Sequence, residues 1–249
     1  MIVLPMAGLS SRFAREGFDL PKYMLPLADR PMLDWSILSF GSQLRSEPVL
    51  FIFRDVADTA QFVRARALAC GVSKPIFVQI DSATAGQAET VVLGLNAAGV
   101  DDGSTLTIFN IDTLRPGLEE VILGDAAGLV EVVRASGDQW SFVMPDPHRP
   151  GRAIRVTEKE RISDLCCTGL YAFRSAGEYR RILSTSDATA GELYIAPMYN
   201  QLIAEGADIR YNEIPSDRVV FSGTPEEYRR ACTRGPEIKH AYAAGLNRS

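Results

Sequence analysis

MIVLPMAGLSSRFAREGFDLPKYMLPL, Met1–Leu27, begins as an apolar run and breaks into a loop of small residues that carries Arg12 and, ten positions later, Lys22. A short strand followed at once by such a loop is how an open α/β sheet starts, and ligands in these sheets sit at the carboxyl ends of strands. Similar runs recur in VLFIF from Val49, IFVQI from Ile76 and TLTIF from Thr105. Helix-period segments lie between them. PMLDWSILSF places Pro31 near a first helical turn, and TAGQAETVVLGLNAAG sets Ala88, Val91, Val92 and Leu95 on one face before Gly99 stops it. The alternation predicts a three-layer α/β/α, Rossmann-like architecture around a mixed central sheet.

Beyond the first half the pattern changes. QWSFVMPDPHRPGRAIRVTEKERISDLCCTGLYAF alternates apolar and polar residues with Pro and Gly as punctuation, which predicts antiparallel strands added to the sheet. TPEEYRRACTRGP reads as a helix: Thr224 caps it, Pro225 suits the first position, Glu227 completes a capping box and Gly235-Pro236 ends it.

At 249 residues, 46% hydrophobic and 23% charged, the chain suits one large α/β domain. Its net charge of −5 and lack of any Lys/Arg block argue against a nucleic-acid partner. No apolar run is long enough for a membrane span, and the opening apolar residues are too few for a signal core, so a cytoplasmic location is expected. Cys70, Cys166, Cys167 and Cys232 show no paired zinc spacing and read as reduced thiols. With only His148 and His240, a histidine-based metal site or triad is a poor fit.

The opening loop lacks the three glycines of a dinucleotide fingerprint, and no Gly-Lys-Ser/Thr occurs in the chain. What remains is Gly8, Ser10 and Ser11 as backbone and hydroxyl donors, with Arg12 and Lys22 as fixed cations. Such a set can hold a triphosphate and stabilise charge on its α-phosphate, although a surface turn with solvated basic residues would read the same way. LTIFNIDT places Asp112 at the end of a buried strand, where a carboxylate costs burial energy unless it is paired or binds a hard metal ion, or else it caps the next turn.

Taken in order, LPMAGLSSRF, LPKYMLPLADRPML, TAGQAETV, NIDT, VTEKE and SGTPEEY resemble the sugar-nucleotide pyrophosphorylases, or nucleotidylyltransferases, whose opening signature is A-A-G-x-G-T-R followed by P-K. Ser10 stands where that signature has its second glycine, which should reshape the loop. The resemblance implies the nucleotide-diphospho-sugar transferase fold as one domain over residues 1–249, with residues 1–115 the nucleotide-binding half and 116–235 the acceptor half. It assigns Arg12 and Lys22 to the phosphates and Asp112 to Mg²⁺. Gly8, Leu9, Ser10 and Ser11 would wrap the nucleoside triphosphate, and Gly86, with Gln79 and Gln87, would meet the base. Glu158, Lys159, Gly169, Glu192 and Tyr194 would hold the acceptor, a sugar 1-phosphate or another phosphomonoester.

This chain departs from the resemblance at Phe221, where a second metal-binding aspartate is expected and a phenyl ring cannot serve. Either Asp112 holds one ion with water and phosphate oxygens, or Asp217 reaches in from the preceding loop, or catalysis is impaired. Two rival functions stand beside this one: a nucleotide-sugar-binding regulatory subunit, motivated by Phe221, and a glycosyltransferase with a related nucleotide-binding fold, for which NID would stand in for the acidic metal motif. The latter makes no use of Arg12 and Lys22 together, because its donor carries no triphosphate. The motifs look most like members associated with capsule and surface-polysaccharide biosynthesis, and a homo-oligomer is left open.

Overall fold

The computed structural model describes residues 1–185 and 191–246. They adopt the expected α/β fold with mixed strand pairing, and no helix among them is long and apolar enough to cross a membrane. Cys70, Cys166, Cys167 and Cys232 are free thiols. Two compact units interleave along the chain: the described parts of 2–83, 110–120 and 217–249 form the first, and those of 1, 84–109 and 121–216 the second.

In the first unit, Ile2–Pro5, Pro48–Phe53 and Lys74–Gln79 run parallel, with Pro5 opposite Ile52 and Phe53 opposite Gln79. Ile2–Pro5 is buried throughout and Pro48–Phe53 nearly so, the continuous apolar pattern of strands covered on both faces. Lys74–Gln79 is an edge strand, and its Lys74 and Pro75 discourage further pairing. Met6 N donates to Ile52 O at 2.8 Å and Ile80 N to Phe53 O at 2.9 Å. The first two strands therefore turn into loops at the same level.

The excursion between Arg12 and Lys22 is held by aromatic packing. Phe13, Phe18 and Tyr228 form an edge-on trio with ring centroids 5.4, 6.0 and 5.7 Å apart, and the Tyr228 hydroxyl donates to Pro26 O at 2.6 Å. Tyr228 lies on the helix Pro225–Thr233, whose capping box is formed as expected: Glu227 N donates to Thr224 Oγ1 at 3.2 Å and Thr224 N to Glu227 Oε2 at 2.9 Å. That helix stops before Gly235-Pro236, but the pair then opens another helix, Gly235–Leu246. A proline in a first turn lacks only an N–H that would have had no helical partner. Tyr242 of this last helix sets its ring 4.9 Å from Trp35 and donates to Trp35 O at 2.8 Å.

In the second unit, Leu165–Phe173 is buried along its whole length and pairs antiparallel with Leu106–Phe109 and Gly128–Arg134. Ser141–Pro145 and Ala153–Glu158 form an antiparallel pair beside it, joined at Phe142 and Cys166. These are the antiparallel strands expected of residues 139–173. Two strands of this unit go unread in the sequence: Gly128–Arg134, and Ile209–Glu213, which pairs parallel with it and is hidden by its largely exposed, polar residues. The pairing of Leu165–Phe173 with Gly128–Arg134 slips between Cys167 and Tyr171, where Gly169 has φ +98°. Glycine suits this bulge because a Cβ would oppose that backbone.

Candidate active site

Within the first unit, two of the three catalytic candidates meet. Leu106–Phe109 ends three residues before Asp112, which therefore stands in the turn leading to Thr113–Leu114 rather than on the strand itself. Lys22 opens a 3-10 turn, Lys22–Met24, directly after Pro21. Its ammonium donates to Asp112 Oδ2, and the two side chains are 23% and 19% exposed, so the pair is open enough for a ligand to reach. Ser10 fastens the other end of the loop: its Oγ accepts from Lys22 N at 3.3 Å. Its φ of +51° and ψ of 30° lie in the left-handed region. That conformation costs an L-residue roughly 1–2 kcal/mol, so the serine holds a glycine's backbone shape and uses its hydroxyl as a tether.

Arg12 is exposed on the short helix Ser11–Arg15, next to the anchored Phe13, and Gly8, Leu9 and Ser11 are exposed too. A Cβ on Gly8 would meet nothing within 4 Å, so the loop is open on that side. Gln79 is exposed at the end of the edge strand. Asp217 is exposed in the turn Ser216–Arg218 and lines, with Gly117, Glu120 and Tyr242, a cavity of about 500 Å³ that neither Lys22 nor Asp112 lines.

The segment with Phe221 braces Asp112. Val220–Phe221 pairs with Thr113–Leu114, Phe221 opposite Thr113. Fully buried Ser222 then donates twice to Asp112 O, from N at 2.9 Å and from Oγ at 2.8 Å. A Cβ on Gly223 would lie 3.0 Å from Asp112 Oδ2, so glycine leaves just enough room for the carboxylate. Among the described residues no three His, Cys, Asp or Glu side chains gather as a metal cage. A lone, accessible carboxylate still fits Mg²⁺, which commonly takes one or two carboxylates and fills its octahedron with water and phosphate oxygens.

Within the second unit, four acceptor candidates form one connected chain. Glu158 ends its strand opposite Ser141, whose hydroxyl donates to the Glu158 carboxylate. Burial holds the Glu158 carboxyl above its ordinary value of 4.5, opposed by the Ser141 hydrogen bond and the Lys159 charge and reinforced by Glu192. Lys159 adopts φ +56° and donates its N–H to Trp140 O at 2.8 Å. Its ammonium donates to the Tyr194 hydroxyl and lies 4.4 Å over that ring, and Tyr194 in turn donates to Glu192. The hydrogen bond to Tyr194 is the main cause that raises the Lys159 pKa.

Gly86 is joined to the same chain. Leu193 N donates to Ala85 O at 2.9 Å and Ala88 N to Leu193 O at 3.0 Å, which stitches the Glu192–Tyr194 segment to the start of the helix Gln87–Ala97. A Cβ on Gly86 would lie 2.4 Å from Leu193 O and 2.5 Å from Leu193 N, so a crossing backbone requires the glycine. Gln87 is half-buried in the first turn of that helix, and Gly169 stays in the buried bulge.

A nucleoside-diphosphate-sugar pyrophosphorylase from Vibrio cholerae RC9 is 42% identical to this chain and superposes with a TM-score of 0.88, covering 94% of this chain and 100% of that one. The chain belongs to the sugar-nucleotide pyrophosphorylase family. It is a nucleotidyltransferase of the kind that acts on sugar phosphates. Two more distant structures share the fold alone: an inositol-1-phosphate CTP transferase from T. maritima (14% identity, TM-score 0.74, 96% of this chain and 95% of that one) and a UDP-glucose pyrophosphorylase from Acinetobacter baumanii (15%, 0.72, 98% and 95%). No family model and no curated protein matches the chain.

In this nucleotidyltransferase, Ser141, Leu193, Ser222 and Gly223 join the site with no signal of their own in the sequence. Ser141 and Ser222-Gly223 lie inside quoted stretches and Leu193 lies between Glu192 and Tyr194, but all four act through partners 17 or more positions away in the chain. The raised Glu158 pKa carries a testable sign. Its favourable contribution is complete below the unfolded value of 4.5 and is lost as pH rises through the folded value, so the ionised group opposes folding at neutral pH. Glu158→Gln should therefore raise the melting temperature at pH 8, with the gain shrinking as pH falls toward that ordinary value. Equal melting temperatures at pH 8 would refute the burial argument.

Proposed function

We propose that this pyrophosphorylase condenses a nucleoside triphosphate with a sugar 1-phosphate, or a similar phosphomonoester, in the cytoplasm. The observation that carries the reading is the Lys22 ammonium resting on the Asp112 carboxylate beside the Ser10 loop. An acceptor phosphate oxygen attacks the α-phosphorus in line; the new P–O bond forms as the bond to the β-phosphate oxygen breaks, and pyrophosphate leaves with that electron pair. No general base is required, because the acceptor is already an anion at neutral pH. Lys22 and Arg12 would neutralise phosphate oxygens, and the Gly8–Ser11 loop would supply backbone and hydroxyl donors. Asp112 would hold Mg²⁺, whose chemistry when bound is to neutralise phosphate charge.

On the acceptor side, Lys159 would exchange its Tyr194 hydroxyl for the acceptor phosphate, while Glu158 and Glu192 would accept from sugar hydroxyls. Capsule or surface-polysaccharide precursors are the class of product this reading favours. Pyrophosphate release from a matrix of nucleoside triphosphates and sugar phosphates, with Mg²⁺, tests it. Turnover with at least one pair is expected and would eliminate the regulatory reading prompted by Phe221. Binding of nucleotide sugar without release from any pair would overturn catalysis.

A further inference from the structure

Arg54 immediately follows Pro48–Phe53, the middle of the three parallel strands in the first unit. Continuing the register that sets Pro5 opposite Ile52 and Phe53 opposite Gln79 puts Arg54 beside Ala7 on one side and Ile80 on the other. Strands in a sheet lie about 4.8 Å apart, so Arg54 stands next to the peptide that enters Gly8. Its charge also reaches Tyr23, the neighbour of Lys22. The Tyr23 phenol is pushed up by burial, and its hydrogen bond to Thr59 works against that rise; Asp55 adds to it and Arg54 opposes it.

Arg54 Nε is buried and makes no hydrogen bond, the one such side-chain nitrogen or oxygen among the described residues. No carboxylate among those residues forms an ion pair with the guanidinium either. Arg54 as a whole is half-buried, but a buried donor without an acceptor is destabilising, so its presence at a strand end asks for a partner that arrives from outside. The edge of a neutral base would leave the charge uncompensated. A phosphate offsets the charge and matches the planar fork.

We propose that Arg54 is a third cationic ligand of the substrate's phosphate chain, beside Arg12 and Lys22; this rests on the nucleoside-triphosphate reading above. Its test needs no turnover. Inorganic tripolyphosphate carries the phosphates without a base, and a nucleoside carries the base without phosphates. Calorimetry should show tripolyphosphate affinity falling about 10-fold or more in Arg54→Ala and less in Arg54→Lys, with nucleoside affinity unchanged. The ligand-free Arg54→Ala protein should melt at or above the wild-type temperature, because an unsatisfied buried donor is gone. Unchanged tripolyphosphate affinity, a loss seen only with base-bearing ligands, or a ligand-free melting temperature several degrees lower would each overturn the proposal. Pyrophosphate release by the wild-type enzyme reports separately on the proposed reaction, so the two failures are distinguishable.

Discussion

Lys22→Ala is expected to lower kcat/KM by about 100-fold or more, measured by pyrophosphate release with the best substrate pair. Lys22 follows Pro21, whose φ of −53° and ψ of 141° deliver the chain into a 3-10 turn. The ammonium is thereby held at Asp112, with the backbone N–H tied to Ser10. A charge fixed before substrate arrives needs no reorganisation as negative charge shifts toward the leaving pyrophosphate, and its loss is therefore felt in the transition state. The fold should tolerate the change, because both partners are partly exposed and solvent screens the pair. Lys22→Arg keeps the charge but replaces a compact ammonium by a wider fork, so it should recover only part of the rate. A Lys22→Ala enzyme within about threefold of wild type would remove Lys22 from the chemistry.

Gly86→Ala should be nearly as damaging, by a different route. The added methyl would lie 2.4 Å from Leu193 O, a backbone atom that cannot swing aside as a side chain can. Relief requires breaking the hydrogen bonds of Leu193 with Ala85 and Ala88. Overpacking together with two lost hydrogen bonds amounts to roughly 2–4 kcal/mol. The same displacement carries away Glu192 and Tyr194, and Tyr194 orients Lys159. The expected signature is a lower urea midpoint and an acceptor KM raised about 10-fold or more, with a smaller change in triphosphate KM. A rise confined to the triphosphate KM would instead return Gly86 to direct contact with the base.

Much of the fold follows from local rules. The strands at Ile2, Pro48, Lys74 and Leu106 were legible because each is built on a short apolar run bounded by loops. The Thr224–Glu227 capping box was legible because its partners are three residues apart. Ile209–Glu213 was not, since its exposed residues give no alternation to follow and its pairing partner lies about eighty positions earlier. Gly235-Pro236 misled in part, because the residues that end one helix also suit the start of the next.

The candidate site divides along the same line. Ordered motifs were enough to single out Lys22, Asp112, Glu158, Lys159 and Tyr194, because residue type and position along the chain are visible without coordinates. Contacts across long separations were not. Folding decided that Lys22 rests on Asp112, that Ser222 holds the Asp112 backbone carbonyl and Gly223 leaves room for its carboxylate where a second acidic residue was expected, and that Leu193 rather than open space faces Gly86. It also decided that Arg54 Nε is buried with no hydrogen-bond partner among the described residues. Sequence alone determined the family and named the candidate residues of its site, since motif order and residue type are visible along the chain, as strand periodicity and caps are for the elements. Only the tertiary structure decided which groups are paired, braced or unsatisfied, because burial and hydrogen bonding depend on atoms that the chain brings together from far apart.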